Sequence, residues 1–107
     1  MIHVIYYREH NRVTIEGHAK SDEYGRDLIC AAASALAVTL SANVRHMADI
    51  GCVTEPVIRL EEGSAEISCK PRTRYKAIVR HTFMSLCMGF EILANKYPEY
   101  ETYQIRG

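Results

Sequence analysis

Arg12-Val13-Thr14-Ile15-Glu16-Gly17-His18 and, after a short polar stretch, Asp27-Leu28-Ile29-Cys30-Ala31-Ala32-Ala33-Ser34-Ala35-Leu36 carry two different periods. In the first segment Val13, Ile15 and Gly17 alternate with Arg12, Thr14, Glu16 and His18, the period of a strand with one polar face. In the second segment and its continuation, Ile29, Ala33, Leu36, Leu40, Val44 and Met47 recur at helical spacing until Gly51 offers a C-cap. Strand and helix therefore share one small unit. Toward the N-terminus, Ile2, Val4 and Tyr6 alternate with His3, Ile5 and Tyr7, and the turn Glu9-His10-Asn11 joins this run to the next as a hairpin. In the other direction, Val53 to Leu60 and Ala65 to Lys70 flank Glu61-Glu62-Gly63-Ser64 and predict a second hairpin, with Ala65, Ile67 and Cys69 inward. Thr73 stands where it would cap a second helix, whose stripe is Tyr75, Val79, Thr82, Leu86, Phe90, Leu93 and Tyr97 before Pro98. Glu101 to Arg106 alternates as a last short strand. The order ββαββαβ with short connections predicts an α+β fold in two layers: a mainly antiparallel sheet with both helices packed on one face, as a single domain over 1–107.

Composition narrows the function. Hydrophobic residues make up 48% of 107, enough for a core without staples, and thirteen Lys and Arg balance thirteen Asp and Glu. Global attraction to nucleic acid or an anionic membrane is not the organising theme. The N-terminus has no basic prelude and meets Arg8 and Glu9 too early for a signal peptide. The uncharged run Leu28 to Val44 approaches the length of a membrane span, but Ser34, Thr39, Ser41, Asn43 and its many alanines read as a buried helix, so no membrane is expected. Cysteines 30, 52, 69 and 87 contain no Cys-x-x-Cys pair and read as reduced thiols of a cytoplasmic protein.

Chemistry concentrates where the second strand meets the first helix. His18 closes the strand and Cys30 falls in the expected first turn of the helix, where unpaired N–H groups and the helix dipole favour thiolate and could hold an oxyanion. Asp27, one turn upstream, opposes thiolate formation unless a cap or His18 holds it. Spacing alone leaves a second reading open, with Cys30 a small buried hydrophobe and His18 an ordinary strand-end histidine.

Gly17-His18-Ala19, the polar loop after it, then Tyr24-Gly25-Arg26-Asp27-Leu28-Ile29-Cys30-Ala31-Ala32-Ala33-Ser34-Ala35-Leu36 closely resemble the ribosomal-processing cysteine protease family, Prp. The ending Tyr97-Pro98-Glu99-Tyr100 after a long helix resembles it too, and the likeness spans essentially the whole chain. The resemblance implies a cysteine endopeptidase that removes an N-terminal extension from a large-subunit ribosomal protein and so permits ribosome assembly. It implies Cys30 as nucleophile, His18 as general base, Asp27 and Ser34 as supporting residues, and Gly17 as the glycine that lets the histidine loop move. It also implies a homodimer and no cofactor or metal.

Other features weigh less. Lys70, Arg72, Arg74, Lys76 and Arg80 form a basic run that reads first as a solvated turn and helix start, and second as a phosphate or RNA contact. On the second reading the chain is a non-catalytic, dimeric, ribosome-associated module that binds RNA through Lys70–Arg80. A redox sensor built on Cys30 is a third reading, though no resolving cysteine lies close in sequence. Cys52, Cys69 and Cys87 read as core fillers, and His3, His10, His46 and His81 show no zinc spacing. Ile5 and the tyrosines are expected to put apolar area on the open sheet face or an edge, where a homodimer would cover it. The polar segment 20–26 between base and nucleophile is expected to be a mobile lid.

Overall fold

The alternating and helical periods are realised in the computed structural model, which describes residues 1–17 and 24–107, with backbone alone over 24–27. Strands β1 (Ile2–Tyr7), β2 (Arg12–Glu16), β3 (Val53–Glu61), β4 (Ser64–Pro71) and β5 (Glu101–Arg106) accompany helices α1 (Tyr24–Asp49) and α2 (Lys76–Lys96). The turn between β1 and β2 is a single 3₁₀ turn, Arg8–His10, closed by Asn11 at φ 46°, a left-handed position that asparagine tolerates well. Helix α1 stops at a Schellman motif: Gly51 (φ 81°) donates to the Ala48 carbonyl at 3.2 Å and Cys52 to that of Met47 at 2.8 Å. Thr73 does not cap α2. It lies in a 3₁₀ turn, Thr73–Tyr75, and α2 starts at Lys76 without a side-chain cap.

The sheet runs β3-β4-β2-β1-β5, with three antiparallel pairings and one parallel, β1 with β5. Its two helices are crossovers. The segment β2-α1-β3 links parallel strands in one direction across the sheet, and β4-α2-β5 links a second parallel pair, running the opposite way, in the other direction. A right-handed connection in both cases puts both helices on the same face, which is where they pack. Pro56 has no N–H for a ladder, so it falls on edge strand β3, beside a bulge between Thr54 and Val57 where Glu55 takes φ 51°.

Between the layers, Val4, Tyr6, Val13 and Ile67 from the strands meet Leu40 and Val44 of α1 and Val79, Phe83, Cys87 and Phe90 of α2. The Tyr6 and Phe83 rings stack with centroids 6.4 Å apart. The α1 stripe is buried as its spacing predicts. The α2 stripe is rotated: Phe83 and Cys87 are buried where Thr82 and Leu86 were expected, Leu86 and Leu93 pack at the flank, and Tyr97 is exposed. Thr82 instead donates its hydroxyl to the Ile78 carbonyl at 2.9 Å. Where the helices cross, Gly89 of α2 receives Leu36 of α1. A Cβ at position 89 would lie 2.7 Å from a Leu36 methyl.

The open face of the sheet is largely polar, so of the two places expected to carry apolar area, this face or an edge, the face holds little. Arg12 pairs with Glu66 at 2.6 Å and lies over the Tyr7 ring, Arg59 donates to Ser64 at 2.8 Å, Ser64 to Glu16 at 3.1 Å, and His3 bonds Thr102 at 2.8 Å. Ile5 is half-buried and Tyr6 belongs to the core. Exposed apolar side chains lie on the edge strands, Val57 and Leu60 on β3 and Ile105 on β5, and on the helices, with Leu28 and Val38 on α1 and Met84, Met88 and Ile92 at successive turns of α2.

Candidate active site

Pairing of β2 with β4 builds one wall of the site. The ladder sets Glu16 opposite Ser64, and just beyond it the Gly17 N–H donates to the Gly63 carbonyl at 2.9 Å. Gly17 has φ 102°, and a Cβ there would overlap the Met1 carbonyl oxygen. Only glycine fits a backbone held in this conformation and hemmed in on both sides. The residue that precedes His18 is thus fixed between the β3–β4 turn and the start of β1.

Helix α1 supplies the opposite wall. Cys30 is half-buried, and Ser34 is exposed one turn later. Alanines 33 and 37 keep this side of the helix low, which leaves a cleft of about 330 Å³ bounded by Gly17, Cys30, Ser34, Leu60, Glu62 and Gly63 above Ile2 and Ile15. The volume suits a side chain or two of a peptide. Of the expected site residues, the structure brings Gly17, Cys30 and Ser34 to this one cleft. His18 and the side chain of Asp27 lie outside the described residues, and so do residues 20–23 of the segment expected as a lid and the side chains of 24–26, whose backbone belongs to α1.

One expectation is corrected. Helix α1 begins at Tyr24, so Cys30 occupies its second turn and not its first. Its N–H is committed to the helical ladder, and the dipole effect falls off within the first turn. The helix start therefore neither activates this thiol nor forms an oxyanion hole from its own N–H. What sets Cys30 apart is access. Cys52, Cys69 and Cys87 are buried, and burial pushes the Cys69 thiol up to about 11 and the Cys87 thiol up to about 12. The Cys69 and Cys87 thiols therefore stay protonated and inert.

The β3–β4 turn, with Glu61 and Glu62 on the cleft rim, was not anticipated in the site. Its place depends on β4 pairing with β2, a contact between strands that are not neighbours in sequence, and no local pattern announces it.

The profile of the cysteine protease Prp family matches residues 1–102, which includes every residue of this cleft. The chain belongs to the Prp family. No curated relative matches it in sequence. Among solved structures, SMU.848 from Streptococcus mutans is 27% identical with a TM-score of 0.68, over 98% of this chain and 91% of that one. An essential ribosomal processing protease Prp from S. aureus, in complex with a substrate peptide, is 18% identical with a TM-score of 0.70, over 98% and 97%. The same protease with a covalently linked product peptide is 19% identical with a TM-score of 0.69. These likenesses bear out the α+β fold, with its five strands and two helices. Prp enzymes are cysteine proteases, and of this member's four thiols Cys30 alone is not fully buried.

Proposed function

We propose that this Prp-family protein is a cytoplasmic endopeptidase that removes the N-terminal extension of a large-subunit ribosomal protein. The observation that carries the reading is a single accessible thiol at a peptide-sized cleft, within a chain matched to the family over residues 1–102. His18 takes the Cys30 proton, and the sulfur attacks the scissile carbonyl carbon. The tetrahedral intermediate collapses as His18 returns the proton to the leaving amine. Water, deprotonated by His18, then opens the thioester, frees the carboxyl product and restores the thiol. Asp27 orients the imidazole, Ser34 supplies a hydroxyl on the same wall, and Gly17, held at a φ of 102° that suits glycine, sets the course of the chain into His18. No metal or cofactor takes part. The apolar floor of Ile2, Ile15 and Leu60 receives an uncharged side chain, while Glu61 and Glu62 favour a cationic polypeptide. The protein works as a homodimer, with Met84, Met88 and Ile92 covered by the partner copy.

The test is cleavage of an extended ribosomal protein, followed by mass spectrometry. Cys30→Ala and His18→Ala abolish it with the fold retained, whereas Asp27→Ala and Ser34→Ala reduce it less. A fully active Cys30→Ala variant ends the proposal.

A further inference from the structure

The end of the molecule away from Cys30 gathers the turn between β1 and β2, the end of β4 and the start of α2. Between them lies an open cleft of about 1070 Å³. Arg8, Lys70, Lys76 and Arg80 line it, with His10 and His81 beside them, against one carboxylate, Glu9. Arg72 and Arg74 flank it in sequence. Among the described residues the ion pairs are Arg12–Glu66 and Arg59–Glu61, so none of the four lining cations is neutralised. Helix α2 adds its positive end to the same place, with no acidic residue in its first turn and no side-chain cap. A chain of zero net charge has thus segregated unpaired cations into one concavity. Left empty, it repels itself.

A second, independent observation points to a ligand. Asn11 also lines this cleft, is 8% exposed, and its Oδ1 is buried without a hydrogen-bond partner. An orphaned acceptor calls for a donor, which a bare phosphate oxygen or a deoxyribose does not offer. A ribose 2′-hydroxyl does, on the same backbone whose phosphates suit the surrounding cations.

We infer that this cleft binds the sugar-phosphate backbone of RNA, with Arg8, Lys70, Lys76 and Arg80 on phosphates and the Asn11 amide turning its unpartnered Oδ1 outward to accept from a 2′-hydroxyl. Recognition is of backbone and not of sequence, since the concavity presents cations and one amide. The site stands at the opposite end of the strands from Cys30, so RNA and a peptide substrate bind together. It does not depend on the protease reading.

The experiment is fluorescence anisotropy with a labelled RNA hairpin, the DNA hairpin of the same sequence, and inorganic phosphate as competitor. Four phosphate contacts weaken RNA binding roughly 50- to 150-fold between 50 and 200 mM salt. The variant Lys70→Gln/Lys76→Gln/Arg80→Gln changes three exposed side chains, keeps its thermal melt, and lowers the salt slope by about one per lost contact. Asn11→Gly retains the left-handed turn and erases the preference for RNA over DNA. The inference is overturned if no RNA binds at roughly 100 µM protein in low salt, the weak end of non-specific affinity. It is equally overturned if the triple variant binds unchanged, if DNA binds as tightly as RNA, or if phosphate competes as well per phosphate as the hairpin does, which would make the cleft a free-anion site.

Discussion

Glu101→Gln will flatten a pH dependence of stability that the wild-type fold carries. Glu101 opens β5 in the register of Ile2, so its side chain points between the layers with that of Tyr103. It is 1% exposed, and neither carboxylate oxygen has a hydrogen-bond partner. Burial lifts its pKa from 4.5 to about 7, because desolvation penalises the charged form. In the unfolded chain the group loses its proton near 4.5, and in the folded chain only near 7. Across that window the folded state holds more protons, so stability falls as pH rises and levels off above the folded pKa. At 1.36 kcal/mol per pKa unit the loss is about 3 kcal/mol. Glutamine keeps the shape and carries no charge. Urea denaturation of both proteins at pH 4.5 and pH 8, followed by circular dichroism, isolates the effect as a double difference. The variant gains about 3 kcal/mol on the wild type between the two conditions. A stability difference that is the same at both pH values refutes the reasoning.

Three further outcomes are expected. Iodoacetamide at pH 7.5 modifies Cys30 long before Cys69 and Cys87, where pKa values of about 11 and about 12 leave roughly one thiolate in 3,000 and one in 30,000; equal labelling rates by mass spectrometry contradict the site. Gly17→Ala lowers stability by about 1–3 kcal/mol through its positive φ, and disturbs cleavage beyond that through the shifted Met1 carbonyl, as melts and turnover at a permissive temperature will show. Light scattering at micromolar concentration gives about twice the 12.2 kDa chain mass, and Met88→Lys with Ile92→Lys halves it without lowering the helix content; a wild-type monomer removes the dimer from the proposal.

Local periodicity carried most of the fold into view. Ile29, Ala33, Leu40 and Val44 are buried as their spacing requires, and Gly51 ends α1 by the motif that glycine favours. What escaped depends on contacts between distant segments. The broad arc by which α2 wedges against both α1 and the sheet is not defined by one stripe, so Phe83 and Cys87 displaced Thr82 and Leu86 from the core. The inward side of β5 is set by its parallel pairing with β1, so nothing in Glu101-Thr102-Tyr103 tells which residue is buried. At the site, Cys30 and Ser34 were legible as one helix turn apart. The start of α1 at Tyr24 was not, because the polar residues before Asp27 carry no apolar stripe to extend the helix backward. The β3–β4 turn joined the cleft through a strand pairing that sequence order conceals.

The seat of Leu36 on Gly89 also bears on how such a chain drifts over generations. With the larger partner in place, a side chain at position 89 must push the Leu36 methyl groups aside, and a smaller residue at position 36 removes that need. With glycine in place, loss of Leu36 opens a void that only a new side chain from the other helix can fill. Each position therefore sets which substitutions the other survives, and the cost of changing both is less than the sum of changing each. Among descendants of this sequence the two sites should be inherited as a couple, despite their separation along the chain, and a lineage that alters one alone will bear a destabilised crossing until the other follows.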